Sequence, residues 1–207
     1  MGGFNLYEFA LSMSALVICI TVHEFAHAYA AYRAGDDTPR LQGRISLNPI
    51  DHLDPMGTIM MVVSSISGFG IGWGKPVRIN PRNFRHPRWD SFRVSLWGPL
   101  SNLLTAAAVG VIYRYTNHLL PSQVAYFMWL LAAISIGLAL FNLLPVAPLD
   151  GHHIVSALLP YEQARAYQQF MARYGLLIFL ALIFLAPDVL PRLIGPPARL
   201  LLRLLMG

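Results

Sequence analysis

The chain has 207 residues, 56% hydrophobic and 12% charged, with a net charge of +5 and a mean hydropathy of +0.51. Soluble domains carry about 25% charged residues, so this composition excludes an ordinary water-soluble fold and indicates one membrane domain over residues 1–207. Fourteen of the fifteen basic residues are arginine, and none forms a basic face interleaved with aromatics, which excludes nucleic acid as a partner. The single cysteine, Cys19, excludes an internal disulfide and a cysteine-based zinc knuckle.

In chain order, the first apolar run predicts a helix over residues 6–34, ended by Gly35-Asp36-Asp37. No Lys or Arg precedes Glu8, so the run lacks a signal peptide's basic start and is read as retained. A polar, proline-containing loop follows to residue 55. Residues 56–74 are apolar but rich in Gly and Ser, without helical punctuation. A basic belt at 75–93 holds Lys75 and five arginines. Helices are then expected at about 94–113, 123–144 and 174–186, with Pro145 and Pro148 breaking the second of these. A basic amphipathic tail over 192–207 is expected to lie on the membrane surface. The expected fold is an all-α polytopic membrane protein of about four to six transmembrane helices.

Arginine placement sets the topology. Arg33, Arg40 and Arg44 follow the first helix and nothing basic precedes it, so its C-terminal end is expected in the cytoplasm. The belt at 75–93 is cytoplasmic by the same rule. The two placements agree only if residues 56–74 dip into the membrane and return, as a re-entrant, partly β hairpin near the active site. Arg192, Arg199 and Arg203 run against this scheme, since they would then lie outside.

The chemistry is concentrated in "HEFAH", residues 23–27. On a helix, His23 and His27 share one face and can share a Zn²⁺ ion, while Glu24 can reach a water on that metal. An unliganded Glu24 in the bilayer would cost roughly 2.5 kcal/mol or more, whereas a metal cancels the charge. At 1.5 Å per residue His23 lies about 25 Å along its helix, below the cytoplasmic surface. A catalytic zinc needs one further protein ligand. Asp150, in "NLLPVAPLDGHH" (142–153), reaches the same leaflet only if residues 56–74 are re-entrant. Asp51, His52, Asp54, His152 and His153 are rival ligands, although "IDHLDP" reads more simply as an Asx turn, and His152 and His153 could orient Asp150.

The H-E-x-x-H helix, "LNPIDHLDPMGT", "GWGKPVRINPRNF", "GPLSN" (98–102) and "NLLPVAPLDG" together resemble the site-2 protease family of intramembrane zinc metalloproteases, over residues 20–155. The resemblance implies that His23, His27 and Asp150 hold one zinc ion and that Glu24 is the catalytic base. It also implies that Asn142 helps to hold the substrate or the oxyanion. The segment around 68–74 resembles the one that presents an edge strand to an unwinding substrate. Function by resemblance is endoproteolysis of transmembrane segments in substrate proteins, at the plasma membrane of a prokaryote, with the site opening to the cytoplasm. The alternative is an inactive metal-binding or scaffold protein of the same fold. The chain departs from the family pattern in having His152 and His153 after "LDG", where a small and a basic residue are usual. It also has no room for a PDZ or CBS domain, which assigns regulation to the core, a partner or homo-oligomerisation.

Overall fold

A computed structural model describes residues 5–67 and 73–207. Eight α-helices are found among them: α1 (Leu6–Arg33), α2 (Thr38–Leu41), α3 (Pro55–Ser67), α4 (Pro87–Thr116), α5 (Ser122–Asn142), α6 (Asp150–Leu158), α7 (Tyr161–Phe184) and α8 (Val189–Met206). Four segments are long and apolar enough to cross a bilayer: α1, α4 with the turn after it, α5 and α7. The protein is an integral membrane protein with four candidate spans among the described residues.

α1 begins where Asn5 Oδ1 accepts the Tyr7 and Glu8 amide protons, and ends at Gly35, whose φ of 110° is open to glycine. α4 runs antiparallel to it. The Arg85 N–H donates to the Ala34 carbonyl at one end, and Ser101 meets the Val22 carbonyl further along. The arginine-rich end of α1 and the basic belt are thus neighbours, as the charge distribution requires. α5 packs on both helices, with Cys19 Sγ 3.1 Å from Ser135 Oγ; Cys19 is a buried packing residue.

Several expectations are corrected. α4 begins at Pro87, not near residue 94, because proline suits the first helical position and Asp90 Oδ2 accepts the His86 N–H at 2.7 Å. α7 begins at Tyr161, not near residue 174. Residues 161–173 contain neither Pro nor Gly and are mostly good helix formers, so polarity alone misplaced the boundary. The expected hairpin at 56–74 is helical through Ser67, and residues 68–72 lie outside the described residues. α3, at 13 residues, is about 20 Å long and too short to span. No β hairpin is seen among the described residues; the pairing there is a lone antiparallel bridge between Leu53 and Gly74. That bridge, with the Lys75 N–H donating to the His52 carbonyl at 2.7 Å, brings the two ends of the segment together. α8 is not laid out alone on a membrane surface. Its apolar face packs against α4 and α5, where Met206, Ala106, Ala132 and Ile136 form a buried cluster. Gly110 permits this contact, since a Cβ there would meet Leu205.

The turn after α1 is organised by Asp36, which is fully buried. Its carboxylate accepts from the Thr38 amide and hydroxyl, the Asn80 amide and the Asn83 side chain, tying that turn to the belt before α4. Burial alone would raise its pKa, but these donors outweigh it and hold the carboxyl below its ordinary 3.8. Asp36→Ala strands several buried donors, so a loss on the order of 3 kcal/mol is expected, read as a lower melting temperature in detergent. Because the folded pKa is depressed, this stabilisation is complete above the ordinary pKa and is lost as pH falls through the folded value. The wild type should therefore lose more stability on acidification than Asp36→Asn.

Candidate metal centre

His23 and His27 lie one turn apart on α1, and their rings meet edge to face at an angle of 84°. Both are buried, at 6% and 7% exposure, which costs free energy unless their nitrogens are engaged. Their Nε2 atoms are 3.0 Å apart and lie 3.1 and 3.2 Å from Asp150 Oδ2. This is the group of His, Cys, Asp and Glu found among the described residues whose ligand atoms converge on one point.

Asp150 arrives there for local reasons. Pro145 and Pro148 interrupt the chain after α5, and α6 starts at Asp150 itself, where a carboxylate favours the helix N-terminus. Gly151 lets that start dock onto the end of α5, since a Cβ would strike the Leu143 and Leu144 carbonyls. Burial alone would raise the Asp150 carboxyl. The two imidazoles outweigh it and hold the group well below the usual carboxylate range.

The remaining ring nitrogens decide whether these residues suit a metal. His27 Nδ1 is 2.8 Å from the Val94 carbonyl, which can only accept, so Nδ1 carries the proton and Nε2 presents a lone pair. His23 Nδ1 is 3.1 Å from Asn102 Nδ2, and Asn102 Oδ1 is buried without a partner. A half turn of this carboxamide exchanges its two ends. Oδ1 then accepts the His23 Nδ1–H, and His23 Nε2 also presents a lone pair. Two imidazole lone pairs and a carboxylate cannot stay this close without a cation or a proton between them. The residues fit a divalent ion with two nitrogen donors and one oxygen, the set zinc takes in hydrolytic sites.

Glu24 is held beside this cluster from the opposite side. Its Oε2 accepts the Val77 N–H at 3.1 Å and lies 3.9 Å from Arg44 Nη2. The buried Arg44 guanidinium donates to the Asp51 and Lys75 carbonyls, fastening the polar loop to the returning segment. Gly74 lets that segment cross α1 closely, because a Cβ would press on Ile20 and approach Glu24.

The other candidates make different hydrogen bonds among the described residues. Asn142 ends α5 with its Nδ2 donating to the Leu138 carbonyl at 3.0 Å. His52 Nε2 donates to the Ser46 carbonyl at 2.6 Å, and Asp54 Oδ1 accepts the Gly57 N–H, which is the turn role expected of it. His152 does not orient Asp150; its Nδ1 donates to the Leu149 carbonyl at 2.8 Å and its ring lies against that of His153.

Gly98, Asn102 and Arg44 went unassigned from sequence. Gly98 and Asn102 are spaced four apart on α4, as His23 and His27 are on α1, so two antiparallel helices match turn for turn. That spacing inside "GPLSN" was the available signal. A Cβ on Gly98 would collide with both imidazoles. Gly98→Ala should weaken zinc retention against a chelator by roughly ten- to a hundredfold. Gly137→Ala, with open space around it, should leave retention unchanged.

A buried His-His-carboxylate group beside a glutamate, among helices of membrane length, is thus the set of side chains that the described residues offer a metal ion. The profile of peptidase family M50 matches residues 108–186. "Putative zinc metalloprotease YwhC" of Bacillus subtilis strain 168 is 42% identical, over 83% of this chain and 78% of its own length. "Putative zinc metalloprotease Rip2" of Mycobacterium tuberculosis strain H37Rv is 30% identical, over 87% and 69%. No solved structure matches the chain significantly. The chain belongs to peptidase family M50, the site-2 protease family of zinc metalloproteases.

Proposed function

We propose that this protein is a zinc-dependent endopeptidase that cuts transmembrane segments of other membrane proteins within the bilayer. The observation that carries this reading is the convergence of His23, His27 and Asp150 within helices of membrane length. His23 Nε2, His27 Nε2 and Asp150 Oδ2 would hold one zinc ion. When bound, that ion supplies a Lewis acid for the scissile carbonyl and lowers the pKa of the attacking water.

Glu24 is the general base. With Oε2 engaged by Val77 and facing Arg44, Oε1 is left to take the water proton and return it to the leaving amine. Asn142 releases Leu138 to donate to the developing oxyanion. The substrate helix must unwind before cleavage, because its own hydrogen bonds shield the carbonyl. The unwound strand would then lie beside the irregular stretch that follows Gly74. The arginines clustered where α1 meets the belt support a bacterial plasma-membrane location with the site opening to the cytoplasm. The partners are transmembrane protein substrates and the bilayer itself.

The test is reconstitution of the full chain with zinc and a single-span substrate in vesicles, with product termini mapped by mass spectrometry. New termini within the apolar segment are expected. Cleavage confined to water-exposed loops would contradict the reading.

A further inference from the structure

A second feature of the molecule is a groove of about 700 Å³ lined by α1, α4 and the turn before α4. Because the helices are antiparallel, its two ends differ chemically. At one end Val22 faces Ser101; at the other, Arg33 faces Arg85. From residue 22 to residue 33 is about 16 Å of helix. Along that length the walls are apolar, formed chiefly by Phe25, Ala26 and Trp97.

The mouth is cationic. Arg33, Arg85 and Arg93 line it, together with a single carboxylate, Asp90. Asp90 is buried and already accepts from the His86 N–H and from Arg93. Among the described residues Arg33 reaches only its neighbour, the Tyr29 hydroxyl, at 3.3 Å. Arg85 has no ion pair among the described residues. The cationic end thus carries an excess of positive charge at the level where α1 leaves the membrane.

We propose that this groove binds one anionic phospholipid, its phosphate at the three arginines and an acyl chain running past Phe25 and Trp97 towards Val22. Length, polarity gradient and charge all match that molecule. Guanidinium forks pair with phosphate oxygens, and basic pockets between transmembrane helices on the cytoplasmic side suit anionic headgroups. Tyr29, exposed and one turn from Arg33, has the amphipathic ring that settles at headgroup level. The site is separate from the metal cluster and does not depend on the proteolytic reading.

Native mass spectrometry of the full chain in detergent tests this, using phosphatidylglycerol and phosphatidylcholine with identical acyl chains. One phosphatidylglycerol should bind roughly tenfold more tightly than phosphatidylcholine. Arg33→Gln with Arg85→Gln should remove that preference, while Arg199→Gln with Arg203→Gln on α8 should not. Ala26→Trp, which fills the groove, should weaken both lipids. Equal binding of the two lipids by the wild type, a comparable loss from the α8 pair, or full binding by Ala26→Trp overturns the proposal. The wild-type comparison needs no variant to fold, and it needs neither zinc nor a substrate. Its failure therefore leaves the proteolytic reading standing.

Discussion

Glu24→Gln is expected to lower cleavage of a membrane substrate by at least about a thousandfold while each chain keeps its zinc, since the exchange removes only the proton acceptor. The side chain retains its length, and its carbonyl oxygen can still accept the Val77 N–H that now meets Oε2. No ligand atom is touched. Zinc content should therefore match the wild type, and the loss of cleavage should fall on the rate. A metal-transport or scaffold role predicts the reverse, with function surviving the substitution. Parallel zinc analysis and cleavage assays on the two purified proteins separate these outcomes.

The second large effect is at Asp150. Asp150→Ala removes the oxygen donor and leaves two buried Nε2 atoms 3.0 Å apart with nothing to hold their metal against water. Zinc should be lost on dialysis and cleavage should disappear with it. Asp150→Asn keeps the shape and one oxygen but not the charge, so intermediate zinc retention is expected. A zinc-replete, active Asp150→Ala protein would remove Asp150 from the ligand set. His152→Ala serves as the control, because His152 bonds the Leu149 carbonyl and no hydrogen bond joins it to the cluster among the described residues.

The parts of the site that the sequence made legible were those written in local spacing. His23 and His27 at i and i+4 must share a helical face wherever that helix packs. Asp150 was a candidate because two prolines break the chain before it, beside rivals that the residue pattern left open, and the family resemblance singled it out. Partners set by packing between helices were not legible. The pairing of Gly98 and Asn102 with the two histidines depends on the depth at which α4 crosses α1, which neither helix encodes alone. Arg44 looked like a topology marker, yet it is buried and clamps two backbone segments beside Glu24.

The same limit explains the fold-level differences. Residues 161–173 read as a polar connector because hydropathy reports lipid contact, while their helix-forming side chains simply extend α7 towards its N-terminus. The arginines of α8 read as a surface helix, but an apolar stripe does not say whether lipid or protein covers it, and here α4 and α5 do. The glycines and serines after residue 63 suggested irregular backbone, whereas helix persists through Ser67.

The most direct test of the central claim is zinc K-edge X-ray absorption on the purified wild type, with metal content measured on the same sample. One zinc per chain, bound by two imidazole nitrogens and carboxylate oxygen with no sulfur, is the expected result. A folded, detergent-stable protein with no bound metal, or a shell containing the sulfur of Cys19, would contradict it.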